Sequence, residues 1–259
     1  MSKKIMKVIY YILPVLSVML LLIGWIYIST KKPELFPSPL ETGQRFLKFI
    51  ERPLGRIPLW KHVLDSLRRV GIAVTLACTV GILFGLAIGW NRVIKSTFGT
   101  LFEVARPIPP IAWIPLITIW FGIGELSKIL IVYIGTFSVV VVNTYTGVLM
   151  VDPINLSVGK IFHAGKFRTF YEIVLPASLP AIFAGIRMAV GTGWAIILAA
   201  EMLGAKSGAG FLISRGNEIG DTPLIFICMF IIGIIGALLS LLASYVERRV
   251  CPWKEEKKS

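Results

Sequence analysis

Six mostly apolar stretches, each of about twenty residues or more, constrain this chain more than any other feature: 8–28, 70–90, 98–121, 129–151, 177–203 and 223–246. A helix needs about 20 such residues to cross the hydrocarbon core of a bilayer. In a chain of 259 residues they leave little over for a soluble catalytic domain. The expected fold is therefore an all-α polytopic membrane protein with about six transmembrane helices. Charged residues make up 16% of the chain, against roughly 25% in a soluble domain. The net charge of +13 would suggest nucleic acid in a soluble protein. Here the basic residues lie in short segments between apolar runs, without interleaved aromatics. They read as loops touching anionic lipid, with no nucleic-acid partner.

The N-terminus carries Lys3, Lys4 and Lys7 before the first run, as a signal peptide would. The run is too long for one and does not end at small residues, so residues 1–34 read as a retained helix and its flank. Prolines at 33, 37, 39, 53 and 58 break up residues 29–65. Within them, 40–50 is either a short helix on the membrane surface or a solvated linker. Gly81, Gly85 and Gly89 recur every four residues in the second run, which suits close helix packing. The third run holds Pro107, Pro109, Pro110 and Pro115. It is either a broken helix beside a pathway or a kinked packing helix, since freed carbonyls in a membrane need cover from protein or a cavity. Residues 204–222 read as a Gly-rich polar loop and 251–259 as a basic tail. Lys and Arg divide almost evenly between the two sides. The basic start and the basic residues after Val246 favour both termini in the cytoplasm.

Cys78, Cys228 and Cys251 are far apart in sequence, and so are His62, expected in a loop, and His163. No metal site or disulfide framework is expected. Nor does any nucleophile–base pair fall at mid-membrane for an intramembrane enzyme. No Gly-x-x-x-x-Gly-Lys-[Ser/Thr] loop occurs; Gly204-Ala-Lys-Ser207 lacks the upstream glycine and strand.

Residues 152–176 alternate at helical spacing, with Ile154, Val158, Ile161 and Phe162, then Phe167, Phe170, Tyr171 and Val174. Gly165 offers a break. Two short helices across the membrane face would present an aromatic knob to a soluble partner; an amphipathic helix binding lipid is the alternative. The ending Ile173-Val174-Leu175-Pro176 resembles that of the "EAA" coupling loop in permease subunits of binding-protein-dependent ABC importers. Aligned from Pro176, Ser157-Val158-Gly159 stands where that loop has Glu-Ala-Ala, and His163 where it has Gly. The acidic residue is thus missing. The run Arg106-Pro-Ile-Pro-Pro-Ile-Ala-Trp-Ile-Pro115, Asn143-Thr-Tyr-Thr-Gly147, Ala199-Ala-Glu-Met-Leu203 and Ser207-Gly-Ala-Gly-Phe-Leu212 are similar to the nitrate/sulfonate/taurine branch.

That resemblance covers residues 35–250 and implies a type I ABC importer permease of a bacterial or archaeal plasma (inner) membrane. It implies a homodimer, two ATP-binding subunits that carry ATP and Mg, and an extracytoplasmic solute-binding protein. The chain itself would hold no cofactor. Ser157, Val158, Gly159, His163, Gly165, Phe167, Phe170, Ile173, Leu175 and Pro176 would couple the ATPase to the spans. The solute would be a sulfonate, taurine, nitrate, bicarbonate or a thiamine-precursor pyrimidine. The coupling subunit of an energy-coupling-factor vitamin transporter is the other transporter class that grips ATPases in this way.

Polar residues inside spans are the pathway candidates. Arg187 either lines the pathway or snorkels to the inner interface. Glu201 either lines the outer mouth or bonds to Arg106 or Lys128. Gly191, Thr192 and Gly193 fall near mid-membrane, where glycines admit a substrate or a partner helix. Asn143 is a further candidate in the fourth span.

Overall fold

The computed structural model describes residues 3–54 and 57–252, and every regular element among them is helical. Ten helical segments follow in order: α1 Lys3–Lys31, α2 Pro39–Glu51, α3 Leu59–Trp90, α4 Arg92–Ala105, α5 Pro110–Phe121, α6 Glu125–Leu149, α7 Pro153–Ile161, α8 Lys166–Met202, α9 Ala209–Glu218 and α10 Thr222–Val250. Five of them, α1, α3, α6, α8 and α10, contain spans long and apolar enough to cross a membrane. The pair α4–α5 makes a sixth if it is one span. The chain divides into two compact units, residues 1–59 with 212–231 and residues 60–211 with 232–259.

In the first unit, the indole of Trp25 stacks on Phe226 at 5.7 Å and donates from Nε1 to the Pro37 carbonyl (2.9 Å). The Pro-rich stretch does contain a helix. Ser38 caps α2 reciprocally: its Oγ accepts from Glu41 N (3.2 Å), and its own N–H donates to Glu41 Oε2 (2.8 Å). Phe49 is buried under this helix, and Arg45 pairs with Asp221 at 2.7 Å.

The second unit is built on α3, α6 and α8. The Gly81, Gly85 and Gly89 stripe of α3 faces Val140, Thr144 and Val148 of α6, which keep the same four-residue step. A methyl group on Gly85 would lie 2.7 Å from Thr144 Cβ, so any larger residue would force the backbones apart. Between α6 and α8 the helices approach closely at Gly147, against Ala181, and at Gly185, against Asn143. Val74, Ile117, Val132, Val140, Ala189 and Ile197 share the apolar core. Trp194 of α8 donates to the Ile232 carbonyl (3.1 Å).

The structure changes two expectations from the sequence and decides one alternative that the sequence left open. α3 begins at Leu59, about three turns before the apolar run, so His62 is buried in a helix and not in a loop. The third run is broken, not kinked: α4 and α5 meet at 89° around Pro107–Pro110. Residues 204–222 hold a helix, α9, where a loop was expected. Its glycines serve different ends. Gly208 turns the chain at a φ of +128°, whereas Gly210 sits inside α9 where the Leu198 carbonyl and Glu201 side chain leave no space for a Cβ.

Candidate functional site

The segment between α6 and α8 forms a rigid elbow. Asp152 caps α7 through the Ile154 N–H (2.8 Å), with Pro153 pre-set in the first turn. α7 ends at Phe162. His163 then turns the chain at a φ of +52°, and its N–H returns to the Lys160 carbonyl (3.0 Å). The first short helix and the break expected near Gly165 are both present. The second short helix is not separate, because Lys166 onward continues into the 37-residue span Lys166–Met202. A π-turn at Phe170–Val174 widens the helix just ahead of Pro176, where a donor is lost, and the span runs on.

The elbow closes on the bundle by a few contacts. A methyl on Gly159 would lie 2.9 Å from Ile173 Cδ1. Val174 is buried with Val148 and Val151, and Phe170 packs on Trp90 at 5.5 Å. The outer side exposes large apolar residues among charged ones: Ile161, Phe162 and Phe167 are each more than 70% exposed, beside exposed Lys160, Lys166 and Arg168. The coupling candidates therefore divide. Ser157, Val158, His163, Gly165, Phe167 and Pro176 face outward, while Gly159 is buried and Phe170, Ile173 and Leu175 are half-buried. His163 adopts a left-handed backbone, at a cost of about 1–2 kcal/mol that a glycine would not carry. His163→Gly should slow hydrogen exchange across residues 153–169, and His163→Val should speed it. Equal exchange in both variants would mean the turn is not strained.

Two pathway candidates meet in a cavity of about 380 Å³. Asn143 of α6 and Thr192 of α8 line it with Arg106, Ser138 and Met188. Asn143 Nδ2 donates to the Val139 carbonyl (2.9 Å). The other candidates lie elsewhere. Arg187 pairs with Glu247 at 3.2 Å. Gly191 is exposed, and Gly193 packs against Val74, Val132 and Thr136.

Glu201 is fully buried, and its partner is neither Arg106 nor Lys128 but Arg69, whose Nη1 donates to Oε1 at 2.6 Å. Ser66 Oγ (2.8 Å) and Gly210 N–H (3.0 Å) donate to the same carboxylate. The rest of the Arg69 guanidinium reaches both Glu125 oxygens and Ser207. Lys128 completes the cluster on Glu125 at 3.0 Å. His62 Nδ1 accepts from Gly208 N–H (3.2 Å). The sequence contained a hint, since Ser66 and Arg69 share one helix face three residues apart. Their target, 132 residues away from Arg69, had no sequence signal.

Apolar spans, a broken helix beside a mid-span cavity and an exposed elbow between two long helices define a multi-pass membrane transport subunit. Residues 78–253 match the binding-protein-dependent transport system inner membrane component family. The chain is 33% identical over 241 residues to the taurine transport system permease protein TauC of Escherichia coli, covering 91% of this chain and 87% of TauC. It is 30% identical over 248 residues to the nitrate import permease protein NrtB of Synechocystis sp., covering 94% and 90%. An inward-facing structure of the methionine ABC transporter MetNI superposes with a TM-score of 0.66 at 17% identity, over 74% of this chain and 95% of that one. The chain belongs to the binding-protein-dependent transport system inner membrane component family, and is the permease subunit of an ABC importer. That decides against the energy-coupling-factor class. Members of this family work with ATPase and binding-protein partners.

Proposed function

We propose that two copies of this permease form one pathway, that two ATPases grip residues 152–176 on the cytoplasmic side, and that both termini lie on that side. An extracytoplasmic binding protein delivers the solute. The observation that carries the reading is the elbow. It exposes Ile161, Phe162 and Phe167 outward and is tied inward through Gly159, Phe170 and Val174, so a push on Phe167 is passed to α6 and α8. ATP-driven closure of the ATPases then biases the bundle between two access states by binding them unequally. Asn143 and Thr192 line the passage. Gly193 and Glu201 hold its walls together, and Arg187 ties the middle of α8 to Glu247 near the end of α10.

The likeness to TauC and NrtB supports a small sulfonate or nitrate as solute. The test is uptake of labelled taurine and nitrate by proteoliposomes holding the permease with its ATPase and binding protein. Uptake should require ATP, and a tag after Ser259 should be protected on the same side as the ATPase. Uptake of either solute without the ATPase would overturn the reading.

A further inference from the structure

Arg106 sits at the break of the third span, directly after α4. Among the described residues no carboxylate pairs with it: Glu201 is held by Arg69, and Glu125 by Arg69 and Lys128. Arg106 is exposed at that break, and an ionisable side chain within a membrane span marks a function by default. Two cavities meet at this side chain. The first, of about 380 Å³, surrounds it with the Ser138 and Thr192 hydroxyls and the Asn143 amide. The second, of about 470 Å³, adds Lys95, Arg92 and Tyr145, and one acid, Glu103. Arg106 and Val142 line both.

Arg92, Lys95, Glu103 and Arg106 share a face of α4, at steps compatible with three and four residues per turn. From Arg92 to Arg106 the helix rises about 20 Å. The face therefore carries three basic groups against one acidic group over much of a bilayer's half-thickness. Lys95 is held over the Tyr145 ring at 5.3 Å, an arrangement that leaves its ammonium without a carboxylate. At the other end the Arg106 guanidinium suits the oxygens of a small oxoanion, with the Thr192 hydroxyl and the Asn143 amide beside it, while the Ser138 hydroxyl donates to the Ile134 carbonyl (3.3 Å) and one Asn143 N–H to the Val139 carbonyl (2.9 Å).

We propose that Arg106 is the anion-selecting contact of this permease, binding a sulfonate or nitrate at mid-span, with Lys95 and Arg92 as the next contacts along the same route. The proposal rests on the Asn143–Thr192 cavity being part of the pathway, and its test separates the two. The full chain, with Cys78, Cys228 and Cys251 replaced by Ala, carries Ser138→Cys as a reporter in membrane vesicles. The probes are the sulfonatoethyl and trimethylammonioethyl methanethiosulfonates, similar in size and opposite in charge. Each rate is normalised to a free thiol in solution.

The anionic reagent should react faster by about tenfold or more, as a local potential of a few kT requires. Arg106→Lys should keep that preference and Arg106→Gln should abolish it. Equal normalised rates in the Arg106 background leave the cavity open to water but overturn the anion contact, whatever the variants do. A preference that survives Arg106→Gln also overturns it. No reaction with either reagent overturns the pathway reading, and this proposal with it.

Discussion

Replacing Arg69 by Ala should cost the permease about 3–5 kcal/mol, because it leaves the Glu201 carboxylate buried without its cation. The Arg69 side chain is 4% exposed and that of Glu201 is 0% exposed. After the change, Glu201 keeps only the Ser66 hydroxyl and the Gly210 N–H. Three helices and a turn meet here, so the loss reaches α3, α6, α8 and the 204–210 segment together. Glu201→Gln should cost less, since Arg69 retains Glu125 and Ser207. Glu125→Ala should cost least, about 1 kcal/mol or below, because Glu125 is 57% exposed and water screens the pair. Thermal unfolding in detergent gives the order directly. The Arg69→Met, Glu201→Met double variant should recover much of the loss, as apolar replacement of a buried pair often does. If Arg69→Ala and Glu125→Ala lower the midpoint equally, the burial argument fails.

Phe167→Asp should separate the permease from its ATPase without unfolding it. The ring is 77% exposed and touches its neighbour Tyr171 at 4.5 Å, so little of the fold depends on it. An exposed aromatic at the crest of a rigid elbow has the character of an interface anchor, whose loss costs about 2 kcal/mol or more. ATPase recovery on an affinity-tagged permease should then fall about thirtyfold, with the permease's own unfolding midpoint unchanged. Phe170→Asp should behave differently. That ring lies half-buried against Trp90, beside Val148, Val151 and Val174, and a carboxylate there loosens the elbow itself. Undiminished ATPase recovery with Phe167→Asp would remove the elbow from the coupling role.

The two phenylalanines also mark the limit of sequence reading. Both fit the same helical period, and both fell in one coupling set. Periodicity assigns a face to a residue but not the neighbour that covers it. Phe170 packs on Trp90 while Phe167, three residues earlier on the same helix, stays out. Glu201 was legible as an ionisable residue in a span. Arg106 and Lys128 were plausible partners by depth, yet Arg69, in the polar start of α3, holds it.

Local chemistry therefore determined the spans, the α3 glycine stripe and the position of the elbow, because hydrophobic period and absent side chains act over a few residues. Only the tertiary structure decided which buried charges pair, which elbow residues face outward, and that Asn143 and Thr192 share a cavity with an unpaired Arg106. Those are contacts between distant parts of the chain, and their energy depends on desolvation and geometry that exist only once the helices have packed.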